Sequence, residues 1–206
     1  MVINYQGKIF MLNNEIIKKM KDYAKVNNVP IITEGGLHYL LKYIKDNKIN
    51  NILEVGTAIG YSAIMMCGVN DSIKVTTIER DEKRYLEAIK NIKKTNLEDR
   101  IHLIYNDALN VKLDEKYDLI FIDAAKAQKR KFFERFEKNL EDEGTIITDN
   151  MNFHGLVDKE VEVIKSRNLR QLVRKIKEYR TFLEKTDKYE TDFLDIGDGM
   201  AVSIKK

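Results

Sequence analysis

The stretch Ile52-Leu53-Glu54-Val55-Gly56-Thr57-Ala58-Ile59-Gly60-Tyr61-Ser62-Ala63-Ile64 decides how this chain folds. A short, almost wholly apolar run (52–55) breaks at a glycine turn, and a helical pattern starts near Tyr61. That is a strand running into a helix. Outward from it the unit repeats: KVTTIE (74–79) precedes a helix through Tyr85, Ile89 and Ile92, with Asp81 placed as its N-cap. IHLIY (101–105), DLIFID (118–123) and TIITD (145–149) follow as further strands. Strands that are apolar at nearly every position are buried on both faces, so the alternation predicts an α/β fold with a mostly parallel sheet.

Two helices precede this core. Ile16, Ile17, Met20, Tyr23 and Ala24 share one face, with Asn13 or Asn14 as cap, and after Pro30 a second helix carries Leu37, Leu40, Leu41 and Ile44. A long helical region is expected over 158–185. TDFLDI (191–196) and MAVSIK (200–205) around Gly197-Asp198-Gly199 then read as an antiparallel hairpin, completing a seven-stranded sheet. No repeat or linker interrupts the pattern. One domain over 1–206 is expected, with a helical cap at 1–50 and the core at 51–206.

Composition narrows the class. Of 206 residues 43% are hydrophobic and 33% charged, with ten Gly and one Pro, which excludes collagen-like and Pro-rich disordered chains. A net charge of +3 excludes a histone-like polycation but leaves room for a local basic patch. Cys67 is the only cysteine, so neither an intrachain disulfide nor a cysteine zinc site is available; it reads as a core residue. Neither a signal peptide nor an apolar run of about 18 residues is present, so a cytoplasmic protein without membrane contact is expected.

Ligands of such sheets sit beyond the carboxyl ends of the strands. The first turn is G-x-x-x-G, not the G-x-G-x-x-G that cradles a pyrophosphate, and no G-K-[ST] occurs. With an acid before it, the turn suits a ligand carrying an amino group. Glu79 closes the second strand, about 20 residues on, where a carboxylate reaches both hydroxyls of a ribose; starting the next helix is its plainer role. Asp107-Ala108 after the third strand suits the amine of a base, or a simple turn. Asp123 closes the fourth strand, and Asp149-Asn150 the fifth. Two carboxylates and an amide oxygen form an all-oxygen set that fits Mg²⁺, Mn²⁺ or Ca²⁺ and not zinc. Lys126 shares that edge, either as a desolvated base or as a solvated lysine at a helix start.

Taken together, ILEVGTAIGYSAI (52–64), TIERD (77–81), NDAL (106–109), DLIFIDAAK (118–126) and TDN (148–150) resemble the metal-dependent class I S-adenosylmethionine (SAM) O-methyltransferases, which include catechol and caffeoyl-CoA O-methyltransferases. Within them, VPI before a Glu-Gly helix start (29–35), GTAIGYSA, FIDAAK-x-Q, ITDN, RNLRQLVRKI and GDGMAVS are most similar to the bacterial tRNA 5-hydroxyuridine methyltransferases. The resemblance implies a Rossmann-like SAM methyltransferase fold and a homodimer. It implies that Glu54, Gly56 and Ser62 surround the methionine part of SAM, that Glu79 takes the ribose and Asp107 with Ala108 the adenine, and that Ile32 touches the cofactor. Asp123, Asp149 and Asn150 would hold Mg²⁺, Asp123 also lying near the SAM amino group. Lys126 falls where the catechol enzymes place their general base. Ala124-Ala125 depart from the larger side chains of the catechol enzymes, which leaves room for another acceptor.

The chemistry implied is in-line displacement at the sulfonium methyl, with alignment and deprotonation of the acceptor as the protein's task. A metal-held acceptor needs a second oxygen beside the first; a catechol has one, and 5-hydroxyuridine in a tRNA anticodon loop has its 4-oxo group. Basic residues bear on that choice. Lys126, Lys129, Arg130 and Lys131 cluster, as do Arg167, Arg170, Arg174, Lys175, Lys177 and Arg180, although an ordinary solvated helix face explains each cluster. On the late helix, Leu169, Leu172, Val173, Ile176 and Leu183 form the expected core stripe. Phe132 and Phe133 read as core, Phe153-His154 as acceptor contacts, and His38 and His102 as structural residues. A small catechol-like or hydroxycinnamoyl acceptor, and a nicotinamide-binding or non-enzymatic module, are the alternatives to tRNA.

Overall fold

A computed structural model describes residues 14–153, 155–158 and 160–206. Asn13 and His154 lie outside the described residues. Five parallel strands form most of one sheet: β1 (Asn51–Val55), β2 (Lys74–Glu79), β3 (Ile101–Tyr105), β4 (Tyr117–Ile122) and β5 (Leu140–Thr148). β6 (Tyr189–Leu194) and β7 (Met200–Lys205) add the antiparallel hairpin, and the order across the sheet is β3-β2-β1-β4-β5-β7-β6.

Period-two alternation explains why the central strands β1 and β4 are apolar at nearly every position. Ile52 of β1 and Leu119 and Phe121 of β4 enter one core; Leu53, Val55, Ile120 and Ile122 enter the other. The first core is roofed by α1 (Asn14–Val26), α2 (Glu34–Asp46), α3 (Tyr61–Cys67) and α4 (Glu82–Lys94), which contribute Met20, Leu40, Ile64 and Ile92 among others. Phe132, Phe133 and Phe136 of α5 (Lys129–Phe136) and Tyr179 and Leu183 of α6 (Arg167–Lys185) close the second. Asp81 caps α4 by accepting from the Arg84 N–H, as its position predicts. Cys67 is buried, and burial pushes its thiol up to about 12, so it is a core residue without thiolate character.

The late helix starts at Arg167, capped by Ser166, because Val161 and Ile164 leave the helical path to pack on Val173 as a separate small cluster. Its inner stripe uses Tyr179, whereas Leu169 is exposed. β5 starts at Leu140, opposite Tyr117, and the ladder resumes only at Leu119 opposite Thr145, so the charged residues 141–143 bulge into solvent. His38 and His102 are exposed and play no core role. Among the described residues no helix is long and apolar enough to cross a membrane.

Candidate functional site

β1 lies between β2 and β4, so the crossover direction reverses beside it, and a crevice opens at its carboxyl end. A cavity of about 420 Å³ fills that place, within the range of small-molecule sites. Ile32, Gly56, Ser62, Glu79, Asp107, Ala108, Asp123, Lys126, Asp149 and Asn150 all line it. Residues placed after five different strands are thus brought to one wall.

The β1 turn depends on Gly56. Its φ is +107°, and a Cβ there would lie 2.4 Å from the Asp123 carbonyl oxygen, so β1 and β4 can end side by side only without a side chain. Glu54 is placed differently from expectation. It points to the opposite face from Val55 and lies fully buried behind the wall, where Ser62 donates to one carboxyl oxygen and Thr77 donates to the other at 2.5 Å. Thr57 and Thr77 hydroxyls meet at 2.6 Å and extend the chain. Glu54 therefore acts on the cavity through Ser62.

Burial pushes Glu54 up to about 7, against the pull of the Ser62 and Thr77 hydroxyls. A carboxyl whose folded-state pKa exceeds its unfolded value holds its proton more tightly when folded. Its contribution is present below about pH 4.5 and is lost as the pH rises through about 7. Compared with Glu54→Gln, the ligand-free protein should lose roughly 3 kcal/mol across that window. Urea unfolding of both proteins at pH 5 and pH 7.5 measures it; parallel behaviour of the two would contradict the burial.

Glu79 is held rigidly. One carboxyl oxygen accepts from the Ala58 N–H at 2.8 Å, and the other from the N–H groups of Arg80 and Asp81 at 2.9 and 2.8 Å. A carboxylate accepts about four hydrogen bonds, so capacity remains for a ligand hydroxyl. At Asp107, the Leu109 N–H at 2.9 Å holds the carboxyl below the ordinary aspartate range, with Arg80 at 3.1 Å adding to it. Ile32 precedes Thr33, whose hydroxyl caps α2, and adds an apolar side chain to the cavity lining.

The acidic edge is built by β4 and β5. Burial and the Asp149 charge raise the Asp123 carboxyl well above its ordinary value, and burial raises Asp149. One Asp149 oxygen accepts from the Asn150 N–H at 2.7 Å, while Oδ2 is buried without a hydrogen-bond partner. A buried, unpartnered carboxylate oxygen beside a second carboxyl and an amide fits a hard divalent cation. Among the described residues no group of three His, Cys, Asp or Glu side chains is arranged to hold a metal, so the amide of Asn150 is needed to complete this set.

Two residues escape a reading of the sequence alone. Asp198, between the hairpin glycines, lines the cavity and lies 3.6 Å from the Lys126 ammonium, which also sits 4.7 Å from the Phe153 ring centre. The desolvated lysine of this edge is Lys129. It is 1% exposed, burial lowers it to about 8, and its ammonium donates to the main-chain carbonyls of Asp149 and of Asn150, the latter at 2.8 Å. The basic clusters, in contrast, are partly neutralised by neighbours: Arg130 with Glu134, Arg174 with Glu162 and Arg180 with Glu184. Phe132 and Phe133 are buried, as expected of core residues.

The family model described as O-methyltransferase matches residues 9–206. A caffeoyl-CoA O-methyltransferase of Populus kitakamiensis is 26% identical over 211 residues, covering 96% of this chain and 89% of that protein. Among solved structures, a Staphylococcus aureus protein assigned provisionally as a caffeoyl-CoA O-methyltransferase superposes with a TM-score of 0.87 at 43% identity, covering 92% of each chain. An O-methyltransferase from Bacillus cereus in complex with SAH gives a TM-score of 0.80 at 25% identity, covering 96% of this chain and 94% of that one.

Proposed function

The chain belongs to the O-methyltransferase family, and on that premise we propose that it methylates a hydroxyl flanked by a second oxygen, with a divalent cation bound at the acidic edge. It is a SAM-dependent O-methyltransferase with a Rossmann-like fold. The observation that carries the cation and the acceptor geometry is the buried, unpartnered oxygen of Asp149, a residue that lines the same cavity as Gly56, Glu79 and Asp107.

Gly56 and Ser62, backed by Glu54, would receive the methionine end of SAM. Glu79 would accept the ribose hydroxyls through its remaining lone pairs, and Asp107 with Ala108 would meet the adenine. Ile32 would close the cofactor from above. Asp123, Asp149 and Asn150 would hold Mg²⁺, with Mn²⁺ or Ca²⁺ as equivalents of the same donor chemistry. Such a cation, when bound, would lower the pKa of an acceptor hydroxyl and orient it. Lys126, at the cavity wall beside Asp198, is the side chain that would receive the acceptor's proton when it is in its neutral amine form. Alignment for in-line transfer follows from holding donor and acceptor in one cavity.

A small catechol-like or hydroxycinnamoyl acceptor is the first reading, supported by the near full-length likeness to a caffeoyl-CoA O-methyltransferase. The 5-hydroxyl of 5-hydroxyuridine in tRNA, giving 5-methoxyuridine at the wobble position, is the second. Supporting it are the short Ala124-Ala125 wall and the arginines Arg80 and Arg84 beside the cavity. Labelled methyl transfer from SAM to caffeoyl-CoA, to catechol and to tRNA containing 5-hydroxyuridine tests both, with and without EDTA. EDTA-sensitive labelling of a small acceptor is expected. Labelling of tRNA alone, weakening steeply with salt, would replace the scaffold and keep the chemistry. Labelling that ignores EDTA would overturn the cation.

A further inference from the structure

Lys129 opens helix α5 and is the most deeply buried lysine of the acidic edge, with 1% of its surface exposed. A helix N-terminus disfavours a cation, and burial of an ammonium is costly unless its protons are satisfied. The hydrogen bonds it makes run to main-chain carbonyls, those of Asp149 and Asn150, and not to a carboxylate. Those carbonyls lie just past the end of β5, where the sheet ladder no longer supplies donors. Asn150 is moreover in the left-handed region at φ +57°, a conformation that a non-glycine residue keeps only when its surroundings hold it.

We propose that Lys129 is a positioning residue: its buried ammonium clamps the two carbonyls and so fixes the turn from which Asp149 and Asn150 reach into the cavity. The proposal rests on the reading that these two side chains are cation ligands. The clamp acts on the backbone, so it sets the separation and direction of the two ligands together. Loss of one such supporting contact typically weakens a metal site roughly ten- to hundredfold.

Two substitutions separate this role from simple charge. Lys129→Met fills nearly the same space and cannot donate; Lys129→Gln is equally uncharged and keeps an N–H donor. Mn²⁺ affinity, followed by electron paramagnetic resonance, is the readout, with SAH affinity by calorimetry reporting that the cavity is intact. Lys129→Met should bind Mn²⁺ roughly ten- to hundredfold more weakly and SAH within about threefold of wild type, with Lys129→Gln recovering most of the loss. Charge alone predicts tighter Mn²⁺ binding in both variants, because a nearby cation has been removed. That result, or unchanged binding in both, overturns the clamp and leaves the cation reading standing. A wild-type protein that binds no Mn²⁺ overturns both together. Should Lys129→Met fail to bind SAH, Lys129→Leu repeats the comparison.

Discussion

Asp149→Ala should reduce methyl transfer to about a thousandth of the wild-type rate or less, while SAH binds within about threefold. Asp149 is fully buried, one of its oxygens is committed to the Asn150 N–H, and Oδ2 has no protein partner. Its removal would leave Asp123 and Asn150 as an incomplete version of the proposed donor set. The fold should tolerate the change, because burial already raises this carboxyl and its charge is costly to maintain without a cation. Single-turnover transfer and SAH calorimetry on the same preparation measure the two halves of the site separately. Strong loss of SAH affinity would assign Asp149 to the cofactor and remove the basis for a cation.

Gly56→Ala should have the second large effect, on folding and on cofactor binding together. The added methyl would lie 2.4 Å from the Asp123 carbonyl oxygen and 2.8 Å from its carbon, on a backbone with φ +107°. Both atoms belong to main chain, so no rotamer relieves the contact. Positive φ adds about 1–3 kcal/mol of strain for a residue with a side chain. A total destabilisation of about 3–5 kcal/mol is expected, with SAH binding lost wherever β1 and β4 are forced apart. Thermal melting followed by calorimetry tests it, and a melting temperature within a few degrees of wild type, with SAH still bound, would show that the two strand ends can separate freely.

How much of this was legible in the sequence follows from what each residue's neighbours along the chain disclose. β1 and β4 are legible because burial on both faces makes nearly every position apolar, β2 and β3 because they keep short β-branched or apolar runs, and the strand ends because Gly56, Glu79, Asp107, Asp123 and Asp149 close those runs. The beginning of β5 is not. Leu140 pairs with Tyr117, but the exposed charges between it and Gly144 disguise the strand. The start of the late helix is hidden because Val161 and Ile164 have the apolar character of a helix face while packing ahead of it as a separate cluster. Glu54, which the resemblance puts beside the methionine part of SAM, lies behind Ser62, and a strand position alone does not say which face meets a ligand. Lys129 sits among Lys126, Arg130 and Lys131, where a lysine ordinarily signals a solvated helix start. Asp198 lies between two glycines, the usual company of a turn residue. Burial of those two is a property of the assembled fold, and no local pattern encodes it.

The interior position of β7 bears on how this protein is made. β7 pairs with both β5 and β6, yet it follows every other strand along the chain. A ribosome that has released residues up to about 195 has therefore produced five parallel strands whose β5 edge is still open, and open edges recruit other chains. The turn that carries Asp198 also arrives late, and its Gly199 backs directly on Asn152. Completion of both sheet and cavity thus waits for β7 and for a contact between distant parts of the chain, which slows folding and prolongs exposure to aggregation. Expression at lower temperature or with a chaperone that shields strand edges should raise the yield of native protein.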